Sequence, residues 1–186
     1  MKRGMKWLTA ASFLLTAVFT GLTLSGSGWA ISFAITFGTF FYHFAMRLFV
    51  GHALNCIMGN RADYTKKWYQ LRPFEEKLYG FLQVKKWKGK MPTYDPSLFD
   101  RRLHSWEEIA QAMCQAELVH EVIVVFSFLP LLATIPFGSF FVFLITSLLS
   151  AAFDLCFVIM QRFNRPRIIT LIDRKAKTLE KHRCSN

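Results

Sequence analysis

The chain has 186 residues, enough for one folding unit and too few for several domains. Hydrophobic residues make up 53% of it, arrive in long blocks and include 20 phenylalanines, a pattern that excludes an ordinary soluble domain and favours a small integral membrane protein. The formal net charge of +11 is concentrated at the N-terminus, in the middle and at the C-terminus; with no soluble domain to carry it, it argues against nucleic-acid binding and reports orientation and attraction to anionic membrane lipid.

In chain order, Lys2, Arg3 and Lys6 precede an apolar segment over 7–24. Charge, apolar core and the small residues Ser25, Gly26 and Ser27 fit a retained first transmembrane helix, and also a secretory signal peptide. In either case the next segment, 29–58, runs inward. It is longer than a bilayer requires, so it tilts or continues into the interface. Its inner half carries Tyr42, His43, Arg47, His52 and Asn55. His43, Arg47, Gly51 and Asn55 recur every fourth residue and share one helix face. A polar stripe on an apolar helix is expected to face the bundle or a polar cavity.

Residues 59–117 form the only long polar stretch. Pro73 is expected to end or kink whatever helix precedes it. Phe74, Leu78, Phe81 and Leu82 then recur at helical spacing, as in an amphipathic helix lying on a membrane surface. A basic run from Val84 to Lys90 leads into an irregular loop marked by Pro92, Asp95 and Pro96. Ser105 and Glu108 form an S-x-x-E capping box that starts the next helix. That helix continues through Glu117, His120 and Glu121 into a third apolar run, 119–137, broken or bent by Pro130 and Pro136. The last span covers 139–160, and a basic tail, 161–186, is expected as a short surface helix. The two remaining loops carry no Lys or Arg, so the positive-inside rule places both termini and the large loop in the cytoplasm. The expected fold class is an all-α, multi-pass cell-membrane protein. Four transmembrane helices form a single membrane domain over 1–186, with an amphipathic and loop-rich cytoplasmic region between helices 2 and 3.

The four cysteines, Cys56, Cys114, Cys156 and Cys184, include no C-x-x-C pair, which argues against a disulfide framework or a thiolate zinc site. Cys56 and Cys156 are expected to pack as small hydrophobes.

Asp154 is the ionisable residue set well inside the last apolar run. Eight residues of helix, about 12 Å, separate it from Arg162. A carboxylate at that depth is costly unless paired, so it marks a functional site or a buried structural pair. Past it, Gln161 to Arg167 gathers Arg162, Arg165 and Arg167 around Asn164 and Pro166. Guanidinium groups bind phosphates or lipid head groups bidentately. Lys85, Lys86, Lys88 and Lys90 add point charges, for which ordinary positive-inside charge is the alternative.

In Glu117-Leu-Val-His120-Glu121 a helix brings Glu117 and His120 to one face. Three readings stay open. One is a buried ion-pair network with Arg47 or Arg162. The second is an acid–base pair in which a carboxylate orients His120. The third is a metal site completed by His43 or His104, although di-metal bundles use the motif twice. No nucleophile elbow, P-loop, dinucleotide fingerprint or H-x-x-x-x-D motif is present.

Several motifs stand in one order: K-K-W-K at Lys85–Lys88, F-D-R-R at Phe99–Arg102, E-I-A-Q-A-M at Glu108–Met113, A-E-L-V-H at Ala116–His120 and Q-R-F-N-R-P-R at Gln161–Arg167. Together they resemble the glycosyl-4,4'-diaponeurosporenoate acyltransferase family, over about 85–167. The resemblance implies a membrane enzyme that esterifies a sugar hydroxyl of a glycosylated carotenoid acid with a fatty acyl group. It implies acyl-CoA as donor substrate, and no cofactor or metal is expected.

Esterification needs a base for the hydroxyl proton and positive charge for the oxyanion. His120 is the expected base, oriented by Glu117 or Glu121. Asp154 would position an arginine or His43. Arg162 and Arg165 would steady the oxyanion or hold the donor's phosphates, and Lys85, Lys86 and Lys88 would attract that donor. Arg47, Gln161, Asn164 and Arg167 complete the expected substrate-binding set. The expected partners are the lipid-like glycosylated acceptor, acyl-CoA and membrane lipid. Two alternatives come from other classes: a non-catalytic membrane protein that binds anionic lipid or a partner subunit, and a metal-dependent enzyme using Glu117, His120 and His104.

Overall fold

The structure, a computed structural model, describes residues 2–184; residues 1, 185 and 186 and the side chains of Lys2, His182 and Cys184 lie outside the described residues. The chain is helical, with no strand among the described residues. The helices are α1 (Lys2–Leu24), α2 (Ala30–Met58), α3 (Pro73–Phe81), α4 (Val84–Trp87), α5 (Trp106–Phe126), α6 (Thr134–Phe137) and α7 (Phe140–Cys184). Four stretches are long and apolar enough to cross a membrane: Arg3–Leu24, Ala30–Met58, Trp106–Phe137 and Phe140–Lys181. The chain is a multi-pass, all-α membrane protein, as its hydropathy blocks indicate.

Two compact units are present. The first comprises the chain up to Ala53 together with Val122–Asp154; the second comprises Leu54–Glu121 and the chain from Leu155 onwards.

In the first unit, aromatic contacts hold α1 to α2. Phe19 stacks on Phe33 and Phe37 with centroids 5.0 and 5.5 Å apart, and Phe13 meets Phe41 at 5.2 Å. The hydroxyls of Thr9, Ser12, Thr16 and Thr23 each donate to the carbonyl four residues earlier. Those polar groups are thereby satisfied without water, as a helix in hydrocarbon requires.

Helix α5 stops at Phe126, and Pro130 explains why: it has no N–H to give and restricts the residue before it. A tight 3-10 turn over Leu129–Ala133 and the short α6 follow, and the chain reverses at Gly138, whose φ of 68° suits glycine. The Tyr42 hydroxyl donates to the Phe126 carbonyl at 2.8 Å, which satisfies an acceptor left over at the end of α5.

In the second unit, Ala62, Tyr69 and Cys114 form a buried core, with Met58 and Tyr64 packed against it. Gly59 and Asn60 both have positive φ and turn the chain out of α2; the Asn60 N–H donates to Gln115 Oε1 at 2.6 Å. Pro73 does not end a helix but opens α3, at the first-turn position where its missing N–H costs nothing. The Arg72 N–H just before it donates to Glu75 Oε2 at 2.8 Å.

Helix α3 is inverted relative to a soluble helix: Glu75 and Tyr79 are buried while Phe74, Leu78, Phe81 and Leu82 are exposed. This is the arrangement of a helix whose apolar side rests on lipid. The Ser105–Glu108 capping box forms as read, with the Ser105 N–H donating to Glu108 at 2.7 Å and the Glu108 N–H donating to Ser105 at 3.1 Å.

Two further expectations are overturned. The basic tail is not a separate surface helix, because α7 runs unbroken through Pro166 to Cys184. Pro166 costs one backbone bond there because it has no N–H to give, while its own carbonyl accepts a side-chain bond from the Thr170 hydroxyl at 2.9 Å. Among the described thiols the fully buried one is Cys114; Cys56 is exposed and Cys156 half-buried, so Cys56 does not pack as a core hydrophobe.

Candidate active site

The first unit holds a buried polar cluster inside its apolar helices. It is built from His43 and Arg47 on α2, Ser127 just past α5, and Ser150 and Asp154 on α7. Their spacing is the reason they meet. His43 and Arg47 lie one turn apart, as do Ser150 and Asp154, so each helix presents two polar groups to the same level.

Arg47 donates to the Asp154 carboxylate, to Ser150 Oγ at 2.8 Å, and from its other nitrogen to the His43 carbonyl at 2.9 Å. The pair balances one positive charge against one negative, which is what permits Asp154 to be 1% exposed in an apolar span. His43 is buried as well. Its Nδ1 lies 3.1 Å from Ser150 Oγ, and Ser150 Oγ lies 2.9 Å from Ser127 Oγ. His43 Nε2, by contrast, is buried with no hydrogen-bond partner.

Beside the cluster lies an apolar groove of about 470 Å³, lined by Thr16, Thr20, Ile31, Ile35, Gly38, Thr39, Tyr42, Pro130, Phe137 and Phe143 among others. Tyr42 connects the two, since its ring lines the groove and meets the His43 imidazole edge to face at 5.4 Å. The groove suits a hydrocarbon chain, because the hydroxyls of Thr16 and Thr39 on its wall donate to carbonyls of their own helices.

The second unit holds a different cluster. Arg162 donates from Nε and one terminal nitrogen to both oxygens of Glu75, at 2.8 and 3.0 Å. Its other terminal nitrogen donates to Glu117 at 2.6 Å and to the Trp68 carbonyl at 3.0 Å, and a last bond reaches the Gln70 carbonyl at 3.0 Å. These five bonds match the five N–H groups of a guanidinium. Arg165 donates to the second Glu117 oxygen and to the Tyr69 carbonyl.

Two guanidiniums thus meet two carboxylates, all buried. The arrangement clasps the turn at 68–70 and the start of α3 to α5 and α7. At Glu75 burial raises the carboxyl pKa, but the bonds from Arg162 and the Arg72 N–H outweigh it and hold the group below the usual carboxylate range.

The expected site residues therefore fall into groups. His43, Arg47 and Asp154 come together in the first unit, with Asp154 positioning an arginine, Arg47. Glu117, Arg162 and Arg165 come together in the second, where the arginine N–H groups reaching Glu75, Glu117 and the backbone are not aimed outward at an oxyanion. His120 lies flat on the Phe157 ring, centroids 4.5 Å apart, and Glu121 accepts from the Trp68 indole at 3.0 Å.

Lys88 donates to Asn164 and, with Arg167, sits over the Phe163 ring. Burial lowers the Lys88 pKa, and repulsion from Arg167 and Lys85 adds to that. Lys85, Lys86 and Arg167 are exposed, and Gln161 is buried. The polar stripe of α2 divides: His43 and Arg47 serve the first cluster, while Asn55 accepts from Gln115 at 3.4 Å in the second unit. No group of three or more His, Cys, Asp and Glu that could hold a metal ion occurs among the described residues, and both Glu117 oxygens are taken by arginine.

Ser127, Ser150 and Glu75 were not singled out from the sequence. Ser150 had a usable signal, four residues before Asp154 and so on its helix face. Glu75 had one too, at the third position of a helix opened by Pro73. Ser127 had none beyond being a serine in an apolar run.

A family model described as CrtO, glycosyl-4,4'-diaponeurosporenoate acyltransferase, matches residues 65–174, more than half of the chain. No curated protein and no solved structure matches it.

Proposed function

The chain belongs to the glycosyl-4,4'-diaponeurosporenoate acyltransferase family, and from that premise we propose that it moves a fatty acyl group from acyl-CoA to a sugar hydroxyl of a glycosylated, lipid-like carotenoid acceptor, with His43 as the base. By family and fold the protein is a membrane acyltransferase of carotenoid biosynthesis. The observation that supports the choice of base is the His43 ring, buried, fixed through one nitrogen and unpartnered at the other, next to an apolar groove.

Nε2 would take the proton of the sugar hydroxyl as its oxygen attacks the thioester carbonyl. The thiolate of CoA would then leave and recover that proton from the imidazolium. Arg47, held by Asp154, supplies fixed positive charge beside the ring. His120, half-buried against Phe157, is the second imidazole available and the natural control.

The loop between the second and third spans is assigned to the inner face of the membrane, because Arg61, Lys66, Lys67, Arg72, Lys85, Lys86 and Lys90 lie in it and the other two inter-span loops carry no cation. Exposed Lys85, Lys86 and Arg167 attract a polyanionic donor to that face by charge.

Purified protein in lipid nanodiscs, given acyl-CoA and glycosylated carotenoid acid, should form the acyl ester detected by mass spectrometry. His43→Gln should lower the rate by about 10²–10⁴-fold, the range for a lost general base. Unchanged ester formation by that variant removes His43 from the role. No product from any glycosylated acceptor removes the substrate reading.

A further inference from the structure

Resting on the reading of His43 as the base, we infer that Ser127 and Ser150 fix which ring nitrogen carries the proton, and that neither serine is acylated. A hydroxyl has one hydrogen to donate and two lone pairs to accept with. The Ser127 hydroxyl lies 2.8 Å from the Ile123 carbonyl, which can only accept, so the Ser127 hydrogen is committed there. Ser127 and Ser150 are nevertheless 2.9 Å apart, so the hydrogen between them belongs to Ser150.

Ser150 has then spent its only hydrogen. Its two lone pairs face Arg47, whose guanidinium can only donate, at 2.8 Å, and His43 Nδ1 at 3.1 Å. Nδ1 must therefore be the donor. The ring is held as the Nδ1–H form, and Nε2, the buried and unpartnered nitrogen, carries the lone pair. Ser150 ends saturated, one bond given and two accepted. The opposite tautomer would set the Ser127 and Ser150 oxygens lone pair to lone pair at 2.9 Å, or break the bond to Ile123.

Two consequences follow. Ser127 and Ser150 are positioning residues, acting through His43 rather than on substrate. Ser150 also cannot serve as a nucleophile toward the thioester: the nearest imidazole nitrogen already holds a proton and cannot accept another from Oγ, which a serine nucleophile needs. The acyl group passes directly from donor to acceptor. The sugar oxygen adds to the thioester carbonyl as the hydroxyl proton moves to Nε2, and the carbon–sulfur bond then breaks, the proton passing from Nε2 to the departing thiolate.

The test needs the full chain in nanodiscs with ¹⁵N-labelled histidine. The His43 resonances are assigned by their absence from His43→Gln. Wild-type His43 should show a protonated Nδ1 and a bare Nε2. Ser127→Ala releases the Ser150 hydrogen to turn toward Nδ1, so the proton should shift to Nε2 and kcat should fall by roughly tenfold or more at little cost in acceptor KM. Ser150→Ala removes the constraint without installing the wrong proton, so it should lose less than Ser127→Ala, although Ser150 makes more contacts. A role in packing alone predicts the reverse order.

Wild-type protein incubated with acyl-CoA alone should show no acyl adduct by intact mass. A wild-type ring protonated at Nε2, or an acyl group on Ser150, overturns the inference. If His43→Gln is inactive and the ring is Nε2–H, His43 is needed for turnover but not through a bare Nε2, and the serine assignment falls. If the ring is Nδ1–H and His43→Gln is fully active, the base falls instead.

Discussion

The two buried polar clusters use similar residues to opposite ends. In the second unit two arginines meet two glutamates, and the Arg162 donors end on carboxylate or backbone oxygen. In the first unit one arginine meets one aspartate, and a chain of serines leads to an imidazole with an unpartnered nitrogen. A saturated network holds structure, because any change exposes a charge with no partner. A network that ends in an open lone pair can accept a proton from something else. The difference therefore separates a clasp from a candidate catalytic base, although both read in sequence as costly charge in apolar surroundings.

Substitutions can break that contrast. The largest effect is expected in the first unit, where His43→Gln should remove most ester formation while the protein remains inserted and folded. His120→Ala should cost less than His43→Gln in the same assay, and the reverse ranking would transfer the base to the second unit.

The next largest effect is expected in the clasp. Arg162→Ala leaves Glu75 and Glu117 without their shared partner and should destabilise the fold by about 3–5 kcal/mol, read as a lower thermal midpoint in detergent. Arg162→Lys should not restore it, since one ammonium cannot replace five N–H groups in a fixed fork. Loss of turnover per folded molecule with unchanged stability would show instead that the clasp is catalytic.

A smaller effect concerns pH. The Glu75 carboxyl is held below its ordinary range in the folded protein, so its contribution is present above the unfolded carboxyl pKa of about 4.3 and is lost as pH falls through the lower folded value. Melting curves from pH 7 to pH 3 should show Glu75→Gln less stable at neutral pH, with the gap to wild type narrowing on the acid side. A constant gap across that range would mean that Glu75 acts by packing. Smallest of all, replacing Lys85 and Lys86 with Ala should raise KM for acyl-CoA by less than about tenfold at low salt and hardly at all at high salt, as expected for exposed, screened charge. A rise that survives high salt would point to direct contacts with the donor.

Local pattern made much of this legible. Hydropathy runs marked the spans, Ser105 and Glu108 announced the start of α5, and the four-residue recurrence placed His43 and Arg47 on one face. Asp154 stood out because an acid in an apolar run is costly wherever it points. Less legible was Ser127, since a serine in an apolar run ordinarily bonds back to the carbonyl four residues earlier, as Ser127 also does here to Ile123. Glu75 was overlooked because α3 reads by its apolar residues, and only the fold shows that its acidic side turns inward.

Sequence alone determined the all-α membrane class, the family and the polar residues sunk in apolar helices, because hydropathy, capping and motif order are local properties of a chain. Tertiary structure alone decided the partners. Arg47 takes Asp154 from 107 residues away, and Arg162 takes Glu75 from 87. Partner choice depends on which helix faces meet and at what level, and any of these acids could have satisfied any of these arginines until packing brought particular pairs within hydrogen-bond reach.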